Sequence, residues 1–446
     1  MLLRYNVSNF ESIGEKIEYS MFPLDDKDPR YLTSIKTVVG TWKVLKRGVL
    51  FGPNASGKTS FIDSIDFAQK YILKGSSSSK FTGVNVFKGF TNQVTSFEFI
   101  IYAKEEVYQY GFALDKFYVH EEWLYKLDKK GIMKPLFTRF TNSKNGEDIE
   151  ISTDYSSFKL SRDMAELLKE MVKENQLFLI KLYDTKSHTI DIDNVIKWFE
   201  SLQIIYPFTK VQALPVEVKK NNSFGAFLLE QLKNMDTGVQ DISVATEAYS
   251  FEKFKDRFNL PNEFIQEIEE VQEGIISLNG QYFTFSNRQK RQQIMFVRLK
   301  FEHKLCGEKV LLNLEEESDG TQRMINLLPI LFSIGNSNTQ KIYIVDELDR
   351  SLHTKLSKHF IRMFEEVTAN VEGQLIFTVH DVNLLDLDLF RSEEIWFIEK
   401  KSSGETRFRP FSDFDINRNE NLLKDYLNGR FGAIPVIKGD MNYGDD

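Results

Sequence analysis

The chain has 446 residues, 41% of them hydrophobic and 27% charged, enough for two or three domains with cores of ordinary size. Its net charge of −8 excludes nucleic-acid binding through a whole-protein positive field, so any such contact needs a local basic patch. The one cysteine, Cys306, excludes an intrachain disulfide and a CxxC zinc site, suits a reducing compartment, and is expected to be buried or half-buried.

Taken in chain order, Leu2 to Val7 reads as a strand. The charge and polar residues in MLLRYNVSNF break what would be the apolar core of an export signal, so a cytoplasmic protein is expected. A second strand, Lys46 to Phe51, runs into a glycine-rich turn. Phe61, Ile65, Ala68 and Ile72 then recur at i, i+4, i+7 and i+11, the apolar stripe of a helix that ends before Gly75 and a loop at Ser76 to Ser79. FEFIIYA, VYQYGFAL and EEWLYKL, between Val94 and Leu127, alternate as an antiparallel meander. From Ser161 to Glu273 the pattern turns helical, in DMAELLKEMVKENQLFLIKL, IDNVIKWFESL, GAFLLEQLKNM and PNEFIQEIEEVQEG, with no sustained heptad, so a compact lobe is expected and not a coiled-coil arm. Strands return at Gln281 to Phe285, Ile294 to Phe301 and Val310 to Leu314. Two apolar runs, Lys341 to Val345 and Leu375 to Val379, read as buried strands. None of these runs approaches the roughly 20 residues that span a bilayer, so no membrane contact is expected.

The expected fold is α/β: a mixed sheet carrying a phosphate loop, an antiparallel β subdomain, and a compact helical insertion. The expected divisions are an N-terminal lobe at 1–160, a helical lobe at 161–280 and a C-terminal lobe at 281–446.

Gly52-Pro-Asn54-Ala55-Ser56-Gly57-Lys58-Thr59 completes a phosphate-loop pattern between an apolar strand and an amphipathic helix that continues through Ser60. Backbone N–H groups and the helix N-terminus would face the phosphates of ATP, Lys58 would pair with the β and γ phosphates, and Thr59 would ligate Mg2+. Lys341-Ile-Tyr-Ile-Val-Asp346-Glu347 is a buried strand ending in two carboxylates at the sheet edge where ligands bind in open α/β folds. Asp346 is read as the second Mg2+ ligand and Glu347 as the group that activates the attacking water. Ser318, Gly320 and Gln322 sit at the start of a helix near Thr321, an anion site whose first residue, Ser318 or Asp319, also serves as a helix cap. Leu375-Ile-Phe-Thr-Val-His380 ends a further strand in a histidine. The cluster Arg288, Lys290 and Arg291 suits either a solvated turn or a nucleic-acid contact, and Asp386-Leu-Asp388 reads as a cap or turn.

In their order, GPNASGKT, ESDGTQR, IYIVDELDRSLH and FTVHD resemble the phosphate loop, signature, Walker B with D-loop, and switch histidine of the ABC-type SMC and RecF-like ATPases. That resemblance implies a composite site in which Ser318, Gly320 and Gln322 of one copy cap the nucleotide held by the other, hence a homodimer or a larger assembly of dimers. It also makes His380 a γ-phosphate sensor beside Lys58 and Glu347. NFESI, LFLIKL, EESDGTQR, HDVNLLD, EEIWF and YLNGRFGAIP further resemble the bacterial RloA and AbiL-like anti-phage ATPases, and through them the AriA-type ATPase of PARIS systems. This implies an abortive-infection role, a phage-protein trigger and a partner effector from the same operon, a Toprim-type or other nuclease. Two departures stand out: His353 occupies the D-loop aspartate position, and for the Q-loop only Gln93 and Gln109 are candidates. A RecF-type repair clamp and a nucleotide-gated scaffold of slow turnover are the alternatives. The helical lobe and YLNGRFGAIP are the expected docking places for a partner.

Overall fold

Strands that read as unbroken apolar runs are covered on both faces. Arg47–Phe51 and Gly373–Val379 are buried at every residue, and Lys341–Val345 at all but its first. They form the middle of a six-stranded sheet ordered Leu202–Ile205, Lys341–Val345, Gly373–Val379, Arg47–Phe51, Ile395–Lys400, Thr406–Pro410, parallel except at the last pairing. The computed structural model describes residues 1–25, 31–75, 80–91, 93–144, 148–154, 172–185, 189–211, 213–278, 281–286, 293–336, 340–414 and 422–434. The loop expected at 76–79, the segment 163–171 of the first expected lobe helix, and Arg288, Lys290 and Arg291 lie outside them.

A seven-stranded antiparallel sheet contains the expected meander, in the order Asp148–Asp154, Met133–Lys144, Val119–Leu127, Glu106–Leu114, Thr95–Ala103, Leu2–Ser8, Ile17–Ser20. The helix Lys58–Lys74 packs between the two sheets. Phe61 meets Tyr5 at 5.6 Å and Tyr19 at 5.3 Å on one side and Phe408 at 4.9 Å on the other. Strand-to-helix geometry thus delivers the phosphate loop at the carboxyl edge of the six-stranded sheet, with its helix held by aromatic contacts on both sides.

The chain divides into two units, Met1–Pro207 with Ser337–Asp349 and Ser357–Asp446, and Phe208–Asn336 with Arg350–Leu356. This corrects the boundaries expected at 160/161 and 280/281. The helices Phe178–Asp184 and Ile190–Ser201, expected in the insertion, belong to the first unit because polar anchors tie them there. Glu122, fully buried, accepts the backbone N–H groups of Phe178 and Leu179 at 2.5 and 2.9 Å, filling the uncapped start of the helix Phe178–Asp184. Gln69 donates to the carbonyls of Phe199 and Leu202 at 2.6 and 2.8 Å.

The second unit contains the helices Leu214–Lys220, Asn222–Asn234, Phe251–Phe258 and Asn262–Glu270, and also a five-stranded sheet, so the lobe is α/β where a helical one was expected. Its strands Val239–Tyr249, Gln281–Ser286 and Glu308–Asn313 pair with Gln293–Leu305, and Glu273–Leu278 pairs with Gln281–Ser286 at the edge. Cys306 is exposed, against expectation. It forms with Gly307 the two-residue hairpin turn after Leu305, both at positive φ (52° and 89°), which carries the thiol to the surface. Within YLNGRFGAIP, whose Pro435 lies outside the described residues, Tyr426, Phe431 and Ala433 are buried and Phe431 stacks on Phe397 at 5.3 Å, while Leu427, Asn428 and Arg430 are exposed. Asp386 makes the expected turn, accepting the Asp388 N–H at 2.9 Å. No described helix is long and apolar enough to cross a membrane.

Candidate functional site

Strand register assembles the site. Val345 is paired with Phe377, and Val379 with Phe51, so the residues that follow these strands emerge side by side: Asp346 and Glu347, His380, and Gly52. Thr378 joins them, donating to Asp346 Oδ1 at 2.6 Å and accepting the Glu347 N–H at 2.7 Å. That second bond holds Glu347 at φ 48°, a left-handed backbone that non-glycine residues rarely adopt. Its carboxylate stands 3.3 Å from His380 Nε2. Asp349 fixes the other side of the histidine, accepting the N–H groups of His380 and Asp381 at 2.8 and 2.6 Å.

The loop from Gly52 opens a cavity of about 330 Å³ lined by Asn54, Ala55, Ser56, Gly57, Lys58, Thr59 and Ser60, together with Ser12, Glu347, His380 and Lys400. Gly57 has φ 109°, and a Cβ there would come within 2.0 Å of Thr406 Oγ1, so glycine is required on both counts. A Cβ on Gly52 would lie 2.4 Å from the Ile398 carbonyl oxygen. The helix Lys58–Lys74 starts at Gly57 with no side-chain cap and no acidic residue in its first turn. Its N-terminal N–H groups and positive dipole end therefore face the cavity with no cap or acidic residue of the helix's own, which fits a phosphate ligand.

Lys58 Nζ donates to the Gly52 and Pro53 carbonyls at 2.6 and 3.1 Å and lies 3.5 Å from His380 Nδ1. Burial lowers its pKa from 10.5 to about 8, opposed by Asp346, Asp349 and Glu347. Thr59 Oγ1 donates to Asp346 Oδ2 at 3.0 Å. A hydroxyl and a carboxylate are hard oxygen donors suited to Mg2+. Among the described residues no group of three or more His, Cys, Asp or Glu is arranged for a metal.

Ser318, Gly320 and Gln322 are on the second unit, whereas Gly52 to Ser60, Asp346, Glu347 and His380 are on the first. Ser318, and not Asp319, caps the helix Asp319–Gly335, accepting the Thr321 N–H at 3.2 Å. Gln322 donates to the Glu317 carbonyl at 2.8 Å, and a Cβ on Gly320 would stand 3.0 Å from the Ser351 carbonyl oxygen. His353, in the D-loop position, accepts the Lys355 N–H at 3.1 Å. Neither Q-loop candidate lines the cavity: Gln109 donates to Glu98 at 2.7 Å on the antiparallel sheet, and the Gln93 carbonyl accepts from Asn9.

Ser12, Thr378, Asp349 and Lys400 were not foreseen as site residues. Thr378 and Asp349 carried a signal, standing two residues before His380 and two after Glu347. Ser12 lay within NFESI, and its hydroxyl is 2.7 Å from that of Thr406, which donates in turn to the Ser56 carbonyl at 3.0 Å. Lys400, at the end of a strand, carried none.

The family described as "AAA domain, putative AbiEii toxin, Type IV TA system" matches residues 49–206 and 306–386, more than half of the chain. No match was found among curated proteins. Among solved structures, an SmcHead bound to the C-winged helix domain of ScpA is similar at 12% identity and a TM-score of 0.40, covering 92% of this chain and 97% of that one. The SMC head domain from Thermotoga maritima is similar at 11% identity and a TM-score of 0.33, covering 93% and 99%.

Proposed function

We propose that this chain, which belongs to the family of AAA domains described as putative AbiEii toxin, Type IV TA system, binds Mg-ATP and hydrolyses it, and uses that cycle to control a partner effector in anti-phage defence. The observation that carries the ATPase reading is the convergence of Lys58, Thr59, Asp346, Glu347 and His380 at one sheet edge, around a helix N-terminus that has no cap of its own.

In that reading the loop N–H groups and Lys58 bind the β and γ phosphates. Thr59 and Asp346 would hold Mg2+, which supplies charge neutralisation on the transferring phosphoryl group. Glu347 accepts the proton of the attacking water, and His380, 3.3 Å from it, positions that carboxylate and contacts the γ phosphate. Ser318, Gly320 and Gln322 complete the site from a second copy, so the working form is a dimer or an assembly of dimers. The effector is taken to be a nuclease encoded nearby and the trigger a phage protein, a proposal that rests on the family membership and on the resemblance of the sequence motifs.

The test is steady-state ATP turnover beside equilibrium ATP binding. Glu347→Gln is expected to retain binding and lower turnover about 100-fold or more, as loss of a general base does. Lys58→Ala is expected to lose both. Full turnover in Glu347→Gln would reject the assignment.

A further inference from the structure

The second unit contains a hollow of about 700 Å³ that no sequence motif announces. It originates in strand register. Along one edge of Gln293–Leu305, the strand Gln281–Ser286 pairs no further than Val297, and Glu308–Asn313 begins pairing at Lys300. Among the described residues, Arg298 and Leu299 therefore have a strand neighbour on one side only, at Ala245 and Val244. Successive residues of a strand turn their backbone groups to opposite edges, so one of these two presents its N–H and C=O to the notch.

Side chains of one face of the sheet line the hollow. Pairing of Glu247 with Phe296, and two-residue alternation, place Glu247, Tyr249, Phe296 and Arg298 on one face. There Arg298 lies over the Phe296 ring at 4.7 Å, and Arg257 over Tyr249 at 5.4 Å while donating to its hydroxyl at 2.5 Å. Both guanidinium groups belong to exposed residues. The Arg298–Glu247 pair is long, 3.9 Å, with both side chains about half in solvent, so it competes weakly for an incoming anion. Val211, Leu214, Leu299 and Asn326 also line the hollow. The Asn326 carboxamide accepts the Val211 N–H at 3.0 Å and donates to the Gln322 carbonyl at 2.9 Å.

We propose that this hollow is a second ligand site, for an anionic, ring-bearing small molecule of the mononucleotide class. Its volume falls in the range of small-molecule pockets, about 300–1,000 Å³. Arg257 and Arg298, steadied over rings, take the phosphate by charge-assisted hydrogen bonds. The planar ring lies toward Leu214 and Leu299, with the notch backbone reading its polar edge. Asn326 connects occupancy to Gln322. That last connection rests on Gln322 being a signature contact; the binding itself does not.

The experiment uses the whole chain carrying Lys58→Ala, so that the phosphate loop is disabled, and titrates it with a fluorescent N-methylanthraniloyl derivative of AMP. Saturable binding is expected. It is expected to weaken about tenfold or more when Arg257→Ala and Arg298→Ala are added, the loss of two charge-assisted contacts; both positions are exposed, so the variant is expected to fold. No saturable binding, or binding indifferent to the two arginines, overturns the proposal. ATP turnover of the unsubstituted chain is measured separately, so a failed ATPase reading and a failed second site are told apart.

Discussion

Lys58 is held where its own charge is costly. With its pKa brought down to about 8 by burial, the folded chain releases that proton more readily than the unfolded chain, whose lysine titrates near 10.5. The cost of a buried ammonium is thus carried in full below about pH 8 and is relieved as pH rises toward 10.5, so this group's contribution makes stability increase across that window. A bound triphosphate reverses the balance by stabilising the ammonium. ATP binding between pH 8 and 9 is therefore expected to take up a proton, and ATP affinity to fall as pH rises through that interval. Calorimetric titration in buffers of different ionisation enthalpy checks it, since the apparent enthalpy must vary with the buffer; no variation would contradict the assignment. Thr378 is the other residue on which the site geometry depends, through its bonds to Asp346 and to the Glu347 N–H. Thr378→Val keeps the volume and removes both bonds, with an expected loss of about 1–3 kcal/mol for the unsatisfied buried groups, measured by urea unfolding, and a fall in turnover larger than any fall in ATP affinity. At this scale Lys58, Asp346 and Glu347 were legible because the chemistry fixes their local spacing. Thr378, Asp349, Ser12 and Lys400 were not, because their roles come from which strands lie side by side.

Among the elements, the strand Arg47–Phe51 is anchored at its start by an ion pair with almost no water around it. Arg47 donates to Glu394 through Nε at 3.1 Å and Nη2 at 3.0 Å, and to the Leu389 carbonyl at 2.7 Å, with Tyr31 stacked on the guanidinium at 3.5 Å. Burial pushes the Glu394 carboxyl up while Arg47 holds it down, so the pair stays ionic only as a pair. Glu394→Ala strands a buried guanidinium and is expected to cost about 3–5 kcal/mol. The double variant Arg47→Met, Glu394→Met is expected to recover much of that loss, and unfolding curves of the three chains check both statements. The elements were mostly readable from periodicity: the strand before the phosphate loop, its helix, the meander and the two buried strands stand where alternation and apolar runs place them. The misplaced helices Phe178–Asp184 and Ile190–Ser201 have ordinary amphipathic patterns. Their allegiance is decided by Glu122 and Gln69, polar residues whose partners are far along the chain. The strand Val239–Tyr249 was missed because only its first residue is buried, so it shows no apolar–polar alternation.

For the molecule as a whole, the sharpest expectation concerns assembly. If each nucleotide site takes its phosphate loop from one copy and its signature from another, two defective chains complement each other. Lys58→Ala and Ser318→Arg are each expected to be nearly inactive alone. An equimolar mixture is expected to regain about a quarter of full turnover, because half of randomly paired dimers hold one intact site of two. A mixture no more active than its parts would show that no site is shared. The strand order has another consequence, one of timing. Arg47–Phe51 is synthesised early, yet its two neighbours, Gly373–Val379 and Ile395–Lys400, come near the end of the chain. On the ribosome that apolar strand waits for roughly 300 more residues, about half a minute at ordinary elongation speeds, before either partner exists. Until then it is an unpaired apolar strand of the aggregation-prone kind, although every one of its residues is buried in the finished protein.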